Sequence, residues 1–248
     1  MERFERKEFK FYVPVERASE LCERVKTHML HDPFCAELEH ERYVVRSIYL
    51  DTPSLQFYFE KVDGLRLRKK LRVRVYNELE EGSPAFFEIK RKIEDTIVKE
   101  RARLDIEESI DLLNGSKLHL RNGDGNESLD SVVINRFTYL INRLHLEPKA
   151  LITYEREAFY DPDNPDLRIT FDYNVRSYLN PSLQDFYKED DLRTVSNPNF
   201  ILEVKFSIAL PLWTRQMLKD FRLHLQSISK YCNGVDCWDD VEKLTDLA

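Results

Sequence analysis

The sequence predicts an α+β fold: a sheet closed around a charged interior, with helices over its apolar outer face. Three observations predict it. From Gly64 to Tyr76 the even positions Arg66, Arg68, Lys70, Arg72, Arg74 and Tyr76 are polar, and the odd positions are apolar apart from Lys69. Other segments repeat this polarity with carboxylates mixed in. Stretches with helical spacing of apolar residues lie between them.

Side chains alternate faces along a strand, so the ladder puts its cations on one side. Same-face neighbours sit about 7 Å apart, and at an effective dielectric of about 20 each adjacent pair repels by about 2 kcal/mol. An enclosed face bears that cost only where carboxylates or an anionic ligand offset it, which points to a polyanion site. The alternative is a solvated basic edge strand that keeps sheets from pairing edge to edge. Repetition favours the enclosed face. Glu88, Lys90 and Lys92 share a face, as do Glu203 and Lys205, opposite Leu202, Val204 and Phe206. Arg6, Glu8, Lys10 and Tyr12 do the same near the N-terminus, as do Tyr154 with Arg156, and Arg168, Thr170 and Asp172.

In chain order, strands are expected over 5–13, 43–51, 65–77, 85–92, 96–104, 149–160, 167–178 and 200–206. Ala18, Leu21, Val25 and Met29 form one helical face between Val15 and about Leu30. Thr52-Pro53 reads as a cap and first-turn proline opening a short helix to about Lys61. Another short helix is expected over 105–113. The stretch 114–127, with Gly115, Gly123 and Gly125, reads as a polar loop. A longer helix follows over 128–145, then helices over 212–223, 226–231 and 238–247, the last after an Asn233-Gly234 break. Charged strands flank the polar loop, so residues 1–248 are read as a single domain.

The 248 residues include 42% hydrophobic positions, 15 Phe and 12 Tyr, ample for a core. Only 6 Gly argues against a Gly-rich phosphate loop. A formal net charge of −7 weakens a nucleic-acid reading, as does the lack of stacking aromatics within the ladder. An acidic exterior with a basic interior would focus positive potential on a suitable polyanion. Cys22, Cys35, Cys232 and Cys237 show no C-x-x-C pair and read as reduced thiols of a cytoplasmic protein. His28 and His31, with no third ligand evident, read as a helix-surface pair rather than a metal site. Met1-Glu2-Arg3-Phe4 is unlike a signal peptide, and no apolar run approaches a membrane span.

Nine segments then carry a resemblance. Lys10-Phe11-Tyr12-Val13, Ser47-Ile48-Tyr49-Leu50-Asp51, Leu71-Arg72-Val73-Arg74-Val75-Tyr76, Phe87-Glu88-Ile89-Lys90 and Val98-Lys99-Glu100-Arg101 are the first five. Tyr154-Glu155-Arg156-Glu157-Ala158-Phe159, Leu167-Arg168-Ile169-Thr170-Phe171-Asp172, Leu202-Glu203-Val204-Lys205 and Ser229-Lys230 follow. In this order they resemble the catalytic domain of the vacuolar transporter chaperone complex, the polyphosphate polymerase branch of the triphosphate tunnel metalloenzymes (CYTH-like). The resemblance implies a closed eight-stranded antiparallel β-tunnel that uses Mn²⁺ or Mg²⁺ to transfer phosphate from ATP or another nucleoside triphosphate to inorganic polyphosphate. Eukaryotic members add an inositol-phosphate-sensing domain and membrane helices; neither is in this sequence, which implies a free-standing, microbial version.

By resemblance, Lys10, Arg72, Arg74, Lys90, Lys99, Arg156 and Arg168 contact phosphate. Tyr154 helps hold the triphosphate, Glu203 binds the metal, and Ser229 and Lys230 reach phosphate from the C-terminal helical part. Lys61 also matches a basic position. Arg66, Arg68 and Lys70 depart from the eukaryotic pattern and either extend the phosphate track or face solvent. Arginine's fork matches phosphate bidentately and lysine acts as a mobile charge. Phosphoryl transfer needs alignment and charge stabilisation rather than a protein nucleophile. Structural alternatives stand beside these roles: Lys10, Lys90 and Lys99 as partners of interior carboxylates, and Tyr154 as core or rim. Glu8 and Glu88 either assist the metal or neutralise neighbouring cations. A tunnel triphosphatase and a non-catalytic polyphosphate-binding module need the same lining.

Overall fold

Alternation decides the strands. A computed structural model describes residues 7–38, 40–80, 82–94, 96–114, 129–196 and 198–238. Arg6, the expected loop beyond Asn114 and the expected tail helix beyond Trp238 lie outside the described residues. Strands are β1 (Lys7–Pro14), β2 (Leu30–His31), β3 (Tyr43–Asp51), β4 (Leu67–Tyr76), β5 (Pro84–Ile93), β6 (Thr96–Asp105), β7 (Glu147–Tyr160), β8 (Arg168–Leu179), β9 (Arg193–Thr194) and β10 (Asn199–Phe206). Helices are α1 (Ala18–Lys26), α2 (Pro33–Ala36), α3 (Gln56–Val62), α4 (Ile106–Leu113), α5 (Leu129–Leu144), α6 (Leu212–Asp220) and α7 (Lys230–Asp236). All eight alternating segments are strands.

The fold is α+β and antiparallel. Its main path runs β1-β10-β8-β7-β3-β4-β5-β6, with β2 on β7 and β9 on β8. The path has two ends, β1 and β6, where the sequence predicts closure. Lys99, Arg101 and Arg103 on β6 suit an end strand, because charge discourages further pairing.

The chain forms two compact units, and β3, β7, β8 and β9 contribute residues to both. The first holds Met1–Val44, Tyr154–Arg176 and Thr194–Lys230. Its core joins Phe11 and Val13 of β1, Ile169 and Phe171 of β8, and Leu202 and Val204 of β10 with Leu21 and Val25 of α1 and Met217 of α6. The second holds Val45–Thr153, Ser177–Arg193 and Tyr231–Ala248. There Leu71, Val73 and Val75 of β4, Phe87 and Ile89 of β5, and Ala102 and Leu104 of β6 pack with Ile106 and Leu112 of α4 and Ile134 and Phe137 of α5. Each large side chain fully buried this way contributes about 1.5–3 kcal/mol.

Three local expectations are corrected. The helix α3 begins at Gln56 rather than at Pro53, after Leu55 in a left-handed conformation at φ 56°. Thr52 does cap, its Oγ1 accepting the Gln56 N–H at 2.9 Å, and Asp51 of β3 shares the work: Phe57 and Tyr58 donate backbone N–H bonds to it at 2.8 and 2.9 Å. Helix α7 starts at Lys230 and runs through Asn233-Gly234 instead of breaking there. Gly234 serves close packing, since a Cβ there would lie 2.2 Å from Ile152 Cδ1. His28 and His31 do not share a helix face: His28 follows α1 and stacks on Trp213, while His31 lies in β2 and is half-buried.

Candidate functional site

In the second unit the register of β4, β5 and β6 aligns charges in rows. Arg72 pairs with Glu88 and Glu88 with Arg101; Lys70 pairs with Lys90 and Lys90 with Lys99; Arg68 pairs with Lys92. Arg74 and Arg103 flank Phe86. Because neighbouring strands keep their faces in phase, these cations share the side opposite the Leu71–Val73–Val75 core. Glu88 is the hub. Arg72 Nε donates to its Oε2 at 2.6 Å, Lys99 Nζ lies 2.7 Å from Oε1, and Arg101 Nε 3.6 Å from the same oxygen. Burial alone would raise the Glu88 pKa, but Arg72, Arg74 and Lys99 outweigh it and hold the group well below the carboxylate range. Arg72 also donates to the Tyr49 hydroxyl at 2.7 Å. Tyr49 is buried, which would raise its pKa, yet Arg72, Arg74 and Lys70 pull it down to about 8. Arg74 is buried and donates to Ser47 Oγ at 3.1 Å.

The first unit interleaves signs. Its register aligns Glu8 with Lys205 and Lys205 with Arg168, and Lys10 with Glu203 and Glu203 with Thr170. Arg156 grips Asp172 bidentately, Nε to Oδ1 at 2.6 Å and Nη2 to Oδ2 at 2.8 Å. Lys230 Nζ bridges Asp172 Oδ2 at 2.5 Å and Glu203 Oε1 at 2.7 Å. Lys10 reaches Glu203 Oε1 at 3.3 Å, Lys205 reaches Oε2 at 2.9 Å, and Arg156 lies 3.6 Å from Oε2. Lys205 is also 3.6 Å from Glu8. Tyr154 is buried, with Arg156 and Lys230 5.2 and 4.8 Å from its ring centroid. Burial would raise the pKa values of Asp172 and Glu203. Arg156 and Lys230 lower the first, while Lys10, Lys205, Lys230 and Arg156 lower the second. Burial opposes the charge on Lys230, but Asp172 and Glu203 keep it firmly protonated.

The structure thus brings Arg72, Arg74, Lys90 and Lys99 onto one sheet face, and Lys10, Tyr154, Arg156, Glu203 and Lys230 into one cluster. Lys10 and Lys99 do pair with interior carboxylates, and Tyr154 packs within its cluster. Arg168 shares a strand face with Asp172, but its guanidinium meets Asp32 Oδ2 at 2.6 Å. Lys61 sits half-buried in the last turn of α3, and Ser229 is buried just before α7. Asp172, Lys205, Arg101 and Tyr49 complete the two clusters. Strand phase marks the first three, which share a face with Arg168, Glu203 and Lys99. For Tyr49 the alternation carries no charge to notice.

Glu203, Asp172 and Glu8 are all oxygen donors, which suits a hard divalent cation. Each Glu203 oxygen already faces ammonium or guanidinium groups, so a metal there fits only when phosphate oxygens draw those cations away.

Solved structures that resemble the chain include two of low identity. The protein PH1819 from Pyrococcus horikoshii OT3 is 13% identical, with 91% of this chain and 96% of that one covered at a TM-score of 0.48. HpAC1 from Hippeastrum, described as an adenylyl cyclase candidate with a dominant triphosphatase activity, is 12% identical over 94% and 95% at a TM-score of 0.45. The chain matches no curated protein. The family model for the VTC domain matches residues 5–239, and the chain therefore belongs to the VTC domain family.

Proposed function

We propose that the chain is a metal-dependent phosphotransferase of the triphosphate-tunnel type, moving the terminal phosphate of ATP or another nucleoside triphosphate onto inorganic polyphosphate. The observation that carries this reading is the β4–β6 face, where cations follow one another from Arg74 to Arg68 over about 20 Å of strand. That length exceeds a triphosphate and suits a longer chain of linked phosphates. It favours a polyphosphate enzyme over a triphosphatase that needs only a short site. Family membership supports the same reading.

In this proposal Arg72, Arg74, Arg156, Arg168 and Lys230 hold the oxygens of the reacting phosphates, and Lys10, Lys61, Lys90, Lys99, Tyr154 and Ser229 bind substrate. A terminal oxygen of the acceptor chain forms the new bond to the γ-phosphorus; the bond to the β-bridging oxygen breaks, and the nucleoside diphosphate leaves with those electrons. Guanidinium forks fix the transferred group while lysines let neighbouring phosphates slide. Glu203 with phosphate oxygens would hold Mn²⁺ or Mg²⁺, which neutralises charge on the transferred group. On binding, Lys230, Lys10 and Arg156 exchange part of their carboxylate contact for phosphate.

Residues 1–248 are proposed to act as one domain, supported by the strands common to both units. Among the described residues no helix is long and apolar enough to cross a membrane. The four cysteines are free, which supports a cytoplasmic setting. The test incubates purified protein with ATP and each metal in turn. Chains resolvable on a gel, with ADP as co-product, are expected, and Glu203→Gln should abolish turnover while keeping triphosphate binding. ATP giving only orthophosphate or pyrophosphate would instead make it a triphosphatase, and binding without turnover a polyphosphate-binding module.

A further inference from the structure

The cationic face of the second unit has a neutral member on β3. Register places Tyr49 opposite Arg72 and Ser47 opposite Arg74. Tyr49 is only 6% exposed, its ring stacked on that of Tyr231 at 5.1 Å. Its hydroxyl oxygen accepts from Arg72 Nη1 at 2.7 Å, while Arg72 Nε and Nη2 grip Glu88 Oε2 at 2.6 and 2.5 Å. A phenol that accepts one bond still has its own hydrogen to give. Among the described residues that hydrogen meets no acceptor: the contacts of Tyr49 are the Arg72 bond, the ring stack and the Arg72 guanidinium 5.5 Å from its centroid. Arg72 is half-buried, so a ligand on this face reaches it from solvent.

We propose that Tyr49 binds substrate, donating its hydroxyl hydrogen to a phosphate oxygen that Arg72 holds at the same time, an inference that rests on the phosphate reading of the β4–β6 face. Leaving a buried donor without an acceptor is costly. In a row of guanidinium and ammonium donors, an anionic ligand supplies the acceptor. A tyrosine that only held the Arg72 guanidinium would need no more than its lone pairs, and Glu88 already fixes that guanidinium through two nitrogens. The surrounding charge makes the contact sensitive to pH. Burial pushes the Tyr49 hydroxyl up, but Arg72, Arg74 and Lys70 of β4 pull it down to about 8. A phenolate cannot donate and repels phosphate, so the neutral form is the one that binds. The neighbouring acids keep their charge state near that pH. Arg72, Arg74 and Lys99 hold Glu88 of β5 ionised, and burial with Asp51 keeps Tyr231 of α7 protonated, its hydroxyl donating to Asp51 Oδ2 at 2.7 Å. The β7 side chain closest to Gly234 of α7 is uncharged Ile152.

The test measures binding of tripolyphosphate by calorimetry, in the absence of metal, to the full chain and to Tyr49→Phe across a range of pH. At about pH 7 the variant should bind about ten- to a hundredfold more weakly, the loss expected for one hydrogen bond to a charged group. Above about pH 8 the gap should close, because the unaltered chain then carries a phenolate. Tripolyphosphate should also raise the midpoint of the tyrosinate absorbance step in the unaltered chain by about one pH unit or more. Equal affinities at neutral pH would overturn the proposal and leave the phosphate reading standing. So would a gap that persists unchanged into alkali, since a tyrosine that only holds Arg72 does so equally well as phenolate. A midpoint that tripolyphosphate does not move would likewise overturn it. No binding of tripolyphosphate by the unaltered chain would overturn both readings.

Discussion

The two charged clusters solve the same electrostatic problem differently. In the first unit, cross-strand rows alternate in sign: Glu8 beside Lys205, and Lys10 beside Glu203. Lys230 and Arg156 close the arrangement on Asp172 and Glu203, and its members are largely buried. In the second unit the row Lys70–Lys90–Lys99 has one sign, and Glu88 anchors its neighbour row between Arg72 and Arg101. The Lys99 and Arg101 side chains stay 45% and 39% exposed, so water carries part of the load. The difference teaches where each cluster spends its charge. A sign-balanced buried cluster is rigid and intolerant of loss, while a mostly cationic face with a row of one sign, partly open to water, is ready for an anionic ligand.

The largest effect is expected in acid, where both clusters lose their carboxylates. Asp172, Glu203 and Glu88 all have folded pKa values below their ordinary ones. Their stabilisation is therefore complete above the unfolded carboxylate range and lost as pH falls through the folded values. Urea unfolding should be insensitive to pH between about 6 and 7 and weaken progressively below about pH 5. Stability that holds unchanged into strong acid would contradict the buried pairing.

Next comes a direct contrast of the hubs. Glu203→Gln takes a shared carboxylate from buried Lys230 and from half-buried Lys10, Lys205 and Arg156, at a cost of about 3–5 kcal/mol in denaturant titration. Glu88→Gln should cost less, about 1–3 kcal/mol, because Lys99 and Arg101 can turn to water. Equal losses would break the comparison.

Ligand binding sharpens it further. Arg74→Ala removes a buried guanidinium from the mostly cationic β4–β6 face and should weaken triphosphate affinity by about 1.5–3 kcal/mol, read by calorimetry. Wild-type affinity would place that side chain outside the ligand. The smallest effect is spectroscopic. One tyrosine should titrate with a midpoint near 8 by ultraviolet absorbance, and Tyr49→Phe should remove that phase. Arg72→Met should move the midpoint upward, because the guanidinium 2.7 Å away favours the phenolate. A midpoint indifferent to Arg72 would mean that other charges set it.

Much of the fold is legible in the chain. Each alternating run is a strand, and the apolar partners of the ladder, Leu71, Val73 and Val75, are fully buried. Helix ends were less legible. Asp51 caps α3 from five residues ahead of Gln56, past a left-handed Leu55, and Gly234 is demanded by Ile152, far away in sequence. The candidate site divides the same way. Strand phase places Arg72, Arg74, Lys90, Lys99, Arg156 and Glu203 on charged faces, yet says nothing of Arg168 turning to Asp32. Nor does a three-residue spacing reveal that His31 leaves the helix and meets Glu157 from β7.

By itself the sequence determined which side of each strand is charged, because side-chain direction alternates with every peptide unit and needs no distant partner. Only the tertiary structure decided which charges meet: that Glu88 anchors Arg72 and Lys99, that Lys230 bridges Asp172 and Glu203, and that Cys22 finds Glu157. Those pairings follow from register between strands and from helix docking. Register and docking are set by the burial of whole apolar faces, and not by the charged residues that they bring together.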